Sequence, residues 1–130
     1  DPGKGGCGGF PWTQLSPTAH IETTGAWLSN FGGTELVDSG AWGPTAVVTY
    51  DNAKKVAVTR NAANDKYNPG KFNKVVWTAP TAGAFWYCYA DFGLATQELA
   101  AASTKTADPA APDKGGCGGF PWTQLKALAP

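Results

Sequence analysis

The chain has 130 residues, and its ten Lys and Arg balance ten Asp and Glu, so the formal net charge is zero. This length is typical of a single domain that buries a core of its own. The balanced charge lacks the basic surface that nucleic acid or an anionic membrane would attract, so we expect neither partner. No run approaches the roughly 18 to 20 consecutive apolar residues of a spanning helix, so no membrane span is expected.

A twelve-residue segment, KGGCGGFPWTQL, occurs twice, at residues 4–15 and 114–125. The flanks differ, since SPT follows the first copy and KAL the second, and a regular array would repeat its flanks as well. Three explanations stay open: the tail of a preceding tandem unit, a strand-exchange device, or an engineered copy of one terminus. We divide the chain into an N-terminal segment, residues 1–17, and a β-rich domain, residues 18–130.

Between the two copies, apolar residues alternate at the short range that strands show, and clusters of Gly, Asn, Asp and Pro separate the runs. The predicted strands are rich in β-branched and aromatic residues. They cover residues 21–30, 34–38, 46–50, 55–60, 74–78 and 85–92. This pattern predicts a mainly β fold, either a small antiparallel β-barrel or a sandwich.

The second half of the domain contains one predicted loop and one predicted helix. Residues 61–73, NAANDKYNPGKFN, lack apolar periodicity and predict a long polar loop. Its oxygen ligands could bind calcium, but only one is charged and the spacing misses the helix–loop–helix calcium pattern, so we expect no metal. After Leu94, Ala and Leu recur at helical spacing, which predicts a short helix over residues 94–104. The connector ADPAAP then leads into the second copy.

Three cysteines, Cys7, Cys88 and Cys117, have no His or second Cys at metal-ligand spacing, so a disulfide is expected rather than a zinc site. We prefer a bond between Cys88 and Cys117, because it closes a loop of about 30 residues and contributes roughly 3 kcal/mol. Cys7 is then free or competing. Since the two copies are chemically identical, pairings of Cys7 with Cys88 or with Cys117 stay open.

The sequence contains no recognisable catalytic centre. The single histidine, His20, adjoins no nucleophile motif and is expected to be exposed or to cap an element. Glycoside chemistry would require a carboxylate pair from among Glu22, Glu35, Asp38 and Asp91, and no separation between them can be read. The GGCGG segment lacks the Lys-Ser/Thr of a phosphate-binding loop. We therefore expect no catalysis and no cofactor, with a small hydrolase as the weaker alternative.

Six tryptophans are the strongest indication of recognition, because Trp stacks on sugar rings and anchors interfaces. Trp27 and Trp77 fall inside predicted strands, where core packing competes with ligand contact. Trp42, in the turn SGAWGP, is expected to be exposed and is our first candidate for ligand contact. Tyr87 and Tyr89 of the aromatic strand FWYCYADF complete the candidate ligand-binding residues.

Residues 25–27, Gly-Ala-Trp, resemble the G-x-W signature of the lipocalins, and the longer GAWLSNFGG resembles the opening strand of avidin-type barrels. The resemblance implies a calycin-like barrel and, for a lipocalin, a late helix and a disulfide from the C-terminal tail to a barrel strand. Six predicted strands plus terminal segments fall short of eight. The biotin-contacting residues of avidins have no match beyond this opening, so biotin binding is not implied.

The second half of the chain, YCYADFGLATQELAAASTKTAD followed by GGCGGFPWTQL, is similar to the ends of uncharacterised exported or lipoprotein domains of bacteria. This resemblance and the low charged content of 15% indicate an extracytoplasmic protein. The sequence thus predicts a non-catalytic binding module for an apolar or carbohydrate-like ligand, a small molecule or a glycan. The alternative is an assembly subunit, a homo-oligomer in which residues 4–15 complement a neighbouring chain by strand addition.

Overall fold

The computed structural model describes residues 20–128. Within that range the chain forms eight strands and one short helix. In chain order these are β1 (Gly25–Ser29), β2 (Thr34–Val37), β3 (Ala41–Trp42), β4 (Thr45–Asp51), β5 (Val56–Arg60), β6 (Phe72–Trp77), β7 (Ala84–Leu94), α1 (Gln97–Ala102) and β8 (Thr123–Ala127). The predicted domain boundary after residue 17 and the first copy of the duplicated segment lie outside the described residues.

The strands form a closed antiparallel barrel in which each strand pairs with the next and β8 returns to β1. The second copy of the duplicated segment supplies the start of β8. Leu125 of this strand lies opposite Phe85 of β7 on one side and Ser29 of β1 on the other. Closure gives each strand a neighbour on both sides over part of its length, which protects the edges of the sheet. The mainly β prediction and its barrel alternative are confirmed.

The predicted strand count was too low, because two of the eight strands carry weak sequence signals. β3 has only two residues, Ala41–Trp42, too few for any periodicity. β8 has the sequence TQLKA, in which polar residues surround the single large apolar one. The first predicted strand, 21–30, was too long, since β1 begins at Gly25 after a turn in which the Thr24 N–H donates to the Ile21 carbonyl.

The boundaries of the predicted loop and helix also differ from the structure. β6 begins at Phe72, inside the predicted loop 61–73. The pattern concealed this start because the buried inward residue is polar: Asn73 donates to Thr59 Oγ1 at 3.1 Å and to Asn61 Oδ1 at 2.8 Å. The helix is shorter than 94–104, because β7 extends to Leu94 and the side chain of Thr96 caps the helix at its start.

Aromatic side chains fill the barrel interior. The rings of Trp27 and Phe85 meet edge to face with centroids 4.7 Å apart. Trp42 packs against Phe85, Trp77 and Tyr87 at centroid distances of 6.1, 5.8 and 5.2 Å. The predicted exposure of Trp42 is therefore wrong: the residue is 1% exposed, because β3 turns the side chain inward between β2 and β4.

Residues 20–24 close one end of the barrel beneath this core. Ile21 is fully buried, and its N–H donates to the Ser39 hydroxyl at 2.9 Å. The Thr23 carbonyl accepts a hydrogen bond from Trp27 Nε1 at 2.9 Å. The amide of Asn52 binds the backbone of His20, which fastens this closing segment to the β4–β5 hairpin.

The helix and the chain that follows it cover the part of the outer surface formed by β5, β6 and β7. Ala100 of α1 is 1% exposed, and Val58, on the outer face of β5, is 4% exposed. Cys88, on the outer face of β7, forms a disulfide with Cys117, which confirms the preferred pairing. Within residues 20–128 no helix has the length and the apolar character needed to cross a membrane.

We expect Trp27→Phe to lower the free energy of unfolding by about 1 kcal/mol more than Trp42→Phe. Both changes shrink a core ring, but Trp27→Phe also removes the hydrogen bond to the buried Thr23 carbonyl. Within the described chain, Trp42 Nε1 has no hydrogen-bond partner to lose. Urea unfolding followed by circular dichroism gives both values, and a larger loss for Trp42→Phe would contradict this account of the core.

Candidate functional site

A cavity of about 690 Å³ lies beside the second half of β7. It exists because β8 is short: the β7–β8 pairing ends where Thr123 lies opposite Tyr87, although β7 continues to Leu94. In the described chain, the rest of β7 pairs only with β6. Its lining includes Tyr87, Tyr89, Phe92, Lys105, Phe120 and Thr123.

Two exposed phenylalanines give the cavity an apolar entrance. Phe92 is 61% exposed and Phe120 is 70% exposed, although both have large apolar rings. Phe120 is held in place by a tight turn in which its N–H donates to the Cys117 carbonyl at 2.9 Å and its carbonyl accepts from the Cys117 N–H at 3.0 Å. Since the disulfide ties Cys117 to Cys88, the Phe120 ring is presented on a backbone anchored to β7.

Two tyrosines of β7, Tyr87 and Tyr89, line the cavity. The Tyr87 hydroxyl donates to the Glu35 carboxylate, at 2.8 Å from Oε2 and 3.0 Å from Oε1. Burial raises the pKa of Tyr87, and the Glu35 carboxylate raises it further. Burial also raises the pKa of Tyr89. Both phenols therefore stay protonated at neutral pH, as hydrogen-bonding groups and not as bases.

The five predicted ligand-contact residues lie in one aromatic cluster, but they do not all reach the cavity. Trp27, Trp42 and Trp77 are 7%, 1% and 4% exposed and form the barrel core. Tyr87 and Tyr89 lie in the same cluster, with ring centroids 6.1 Å apart, and line the cavity. The cluster is thus divided between a packed interior, which contains the three tryptophans, and a cavity wall, which contains the two tyrosines.

Sequence reasoning missed Phe92, Lys105, Phe120 and Thr123 as site residues. Phe92 and Lys105 carry no local signal, because they enter the cavity from segments 13 residues apart that only the fold brings together. Phe120 does have a signal. It follows Cys117 by three residues in a Gly-rich segment, so the expected disulfide to Cys88 was a signal that could have placed Phe120 near β7.

The four carboxylates considered for hydrolysis are engaged in separate contacts. Glu35 binds Tyr87, and Asp38 accepts from the N–H groups of the turn that follows it. Asp91 accepts from the Ser103 hydroxyl at 2.8 Å. His20 is exposed. Among residues 20–128, no group of three or more His, Cys, Asp or Glu side chains could hold a metal ion.

At the closed end of the barrel, Glu22 forms a polar cluster with two partners. Its Oε2 accepts hydrogen bonds from Lys55 Nζ at 2.5 Å and from Trp77 Nε1 at 2.6 Å. Burial alone would raise the pKa of Glu22, but the hydrogen bonds from Lys55 and Trp77 and the Lys55 charge outweigh it and lower the pKa. The ionised carboxylate therefore stabilises the closed end.

The fold and the cavity define a class: a closed, eight-stranded antiparallel barrel whose C-terminal segment is tied to β7 by a disulfide. No family model, curated protein or solved structure matches the chain.

The free energy of unfolding is expected to decrease as the pH falls below 4.5, the ordinary pKa of a glutamate. The pKa of Glu22 is depressed in the folded chain, so its contribution is present above the unfolded value and is lost as acid protonates the folded carboxyl. Glu22→Gln keeps a hydrogen-bond acceptor but cannot titrate, so its decrease should be smaller. Urea unfolding from neutral to acidic pH tests this, and parallel curves for the two proteins would argue against it.

Proposed function

We propose that this chain is a non-catalytic binding module whose cavity beside β7 takes a small ligand with an apolar ring face. The carbohydrate-like and apolar ligands considered from the sequence share this chemistry, since the CH-rich face of a sugar ring packs on aromatic side chains as an apolar molecule does. The observation that carries the proposal is the cavity itself. Its volume of about 690 Å³ lies within the usual range of ligand sites.

The chemistry of the lining supports a ring-shaped ligand. Phe92 and Phe120 offer exposed aromatic surface at the entrance, side by side with the cavity, on which a ring-shaped ligand can stack. Thr123, Tyr87 and Tyr89 add hydroxyl-bearing residues to the lining. Ligand pockets are typically lined by apolar side chains, with a small number of polar groups that orient the ligand.

The non-catalytic part of the proposal rests on the state of the polar groups near the cavity. The raised pKa of Tyr87 keeps its phenol protonated, and the phenol O–H already donates a hydrogen bond to the Glu35 carboxylate. Asp91, on the neighbouring stretch of β7, is occupied by Ser103 and lies 3.6 Å from Lys105 Nζ. These contacts favour positioning of a ligand over proton transfer to it.

The disulfide supports an extracytoplasmic setting for this binding module, because such bonds persist in oxidising compartments. We retain the calycin-like resemblance as part of the proposal. An eight-stranded antiparallel barrel, a helix after β7 and a bond from the C-terminal segment to a barrel strand agree with what the Gly-Ala-Trp motif implies.

Phe120→Ala should weaken ligand binding by about tenfold or more, as loss of an aromatic anchor does. Two probes separate the ligand chemistries: 8-anilinonaphthalene-1-sulfonate, followed by fluorescence, represents apolar rings, and cellohexaose, followed by calorimetry, represents sugars. The substitution leaves the core intact, since the ring is 70% exposed and the turn is held by backbone hydrogen bonds.

Phe31→Ala is the matched control, because Phe31 is 65% exposed in the β1–β2 turn and does not line the cavity. It should bind either probe as the unmodified chain does. The proposal fails if neither probe binds, or if Phe120→Ala and Phe31→Ala are equivalent for the probe that does bind.

A further inference from the structure

The second copy of the duplicated segment fills a slot that the rest of the barrel builds for it. Leu125 is fully buried between β1 and β7. Trp122 is 2% exposed, and its Nε1 donates to the Asp108 carbonyl at 2.9 Å. Cys117 is bonded to Cys88. We call this place, defined by the contacts of residues 117–125, the β8 slot.

The first copy carries the same twelve residues and therefore the same set of contact groups. Cys7, Trp12 and Leu15 stand where the second copy has its disulfide cysteine, its buried tryptophan and its buried leucine. The barrel formed by the described residues has one β8 slot, and residues 117–125 of the second copy already fill it. The first copy is consequently left over, and its sequence is identical to that of the segment in the slot.

The length of the intervening chain decides which slot the first copy can reach. His20 is held at the β4–β5 hairpin by Asn52, and β4 lies four strands from β8 in the ring. An eight-stranded barrel has a diameter of roughly 16 Å, from a strand spacing of about 4.8 Å and a tilt of about 40°. Five peptide steps from Leu15 to His20 span at most about 18 Å. The reach of about 18 Å is nearly used up by the barrel diameter of roughly 16 Å. The remaining length is too short for the first copy to extend along the barrel wall to the level of Leu125 in its own chain.

We propose that residues 4–15 of one chain are a strand donor for the β8 slot of a second copy of this chain. The donor strand pairs with β1 and β7 of the acceptor and displaces the acceptor's own β8. Donor and slot are different surfaces, so the contact is heterologous and can propagate from chain to chain. The donor also rebuilds the cavity wall, because Phe120 and Thr123 have identical counterparts in Phe10 and Thr13.

The exchange conserves disulfides. The thiolate of Cys7 attacks Sγ of Cys88 in the acceptor, the Cys7–Cys88 bond forms, the Cys88–Cys117 bond breaks, and Cys117 leaves as a thiolate. One bond is made for one broken, so no oxidant is consumed. Cys88 is 2% exposed, so the resident segment has to lift away before the attack, which makes exchange slow in the intact chain.

The flanks of the two copies favour the resident strand to a modest degree. The N–H of Ala127 donates to the Gly83 carbonyl at 2.7 Å. The matching position after the first copy is Pro17, which has no N–H. Loss of one hydrogen bond corresponds to a preference of about tenfold or less. The resident strand also has the advantage of belonging to the same chain, so weakening it should raise the share of donation, most of all at high protein concentration.

The test uses the full chain with Cys117→Ser, which frees Cys88 without changing the donor. An equal mixture of unlabelled and ¹⁵N-labelled chains is oxidised in a glutathione redox buffer and run on a non-reducing gel. We expect dimers and longer products, with peptide mapping that joins Cys7 of one isotope to Cys88 of the other. Adding Trp12→Ala should reduce their yield by about tenfold or more.

Two further arms keep the outcome decisive if Cys117→Ser folds poorly. The chain with all three cysteines should form the same link more slowly in the redox buffer. Trp122→Ala, the matched change in the resident copy, should raise the yield because it weakens the competitor. Absence of the link in both backgrounds, a link confined to single chains, or a yield unaffected by Trp12→Ala would each overturn the proposal.

Discussion

The pairing of β8 with both β1 and β7 is the interaction on which the rest of the structure depends. Without β8, the seven other strands would leave β1 and β7 as open edges of the sheet. The five-residue strand β8 forms backbone hydrogen bonds with both edges. Leu125 adds the side chain that completes the interior between those edges. So short a strand contributes little pairing, which explains why the disulfide matters: it keeps the segment before β8 beside β7 and restricts its freedom in the unfolded chain.

The aromatic content of the chain is used mainly to fill this barrel. An eight-stranded barrel is just wide enough for side chains to fill it, and Trp27, Trp42 and Phe85 occupy the space that a larger barrel would leave for a ligand. The candidate site is displaced from the interior to the place where β8 ends and β7 continues. Aromatic residues counted in a sequence can therefore contact a ligand only where the fold leaves their side chains exposed, as it does for Phe92 and Phe120.

Local pattern was sufficient to predict most of the fold, because alternation places inward residues correctly even where strand ends are misjudged. The Cys88–Cys117 pairing was preferred over two alternatives that involve Cys7, and it is confirmed. The exposure of Trp42 was predicted wrongly because a two-residue strand is too short to show alternation. The turn-like residues around Trp42 then suggested an exposed side chain, although the strand directs it inward. The cavity could not be predicted, since its walls come from β7, from residues 105–106 and from the turn before β8, which only closure brings together.

Ligand binding and strand donation involve the same part of the cavity lining, because Phe120 and Thr123 belong to the duplicated segment. A ligand in the proposed site would contact β7 and the segment that fills the slot, so it would stabilise the closed barrel over any form with an empty slot. Phe10 and Thr13 would present the ligand with the same groups as Phe120 and Thr123. Because a ligand that binds two states equally shifts nothing between them, it would slow exchange by holding the resident strand in place while leaving the balance between resident and donor strands unchanged.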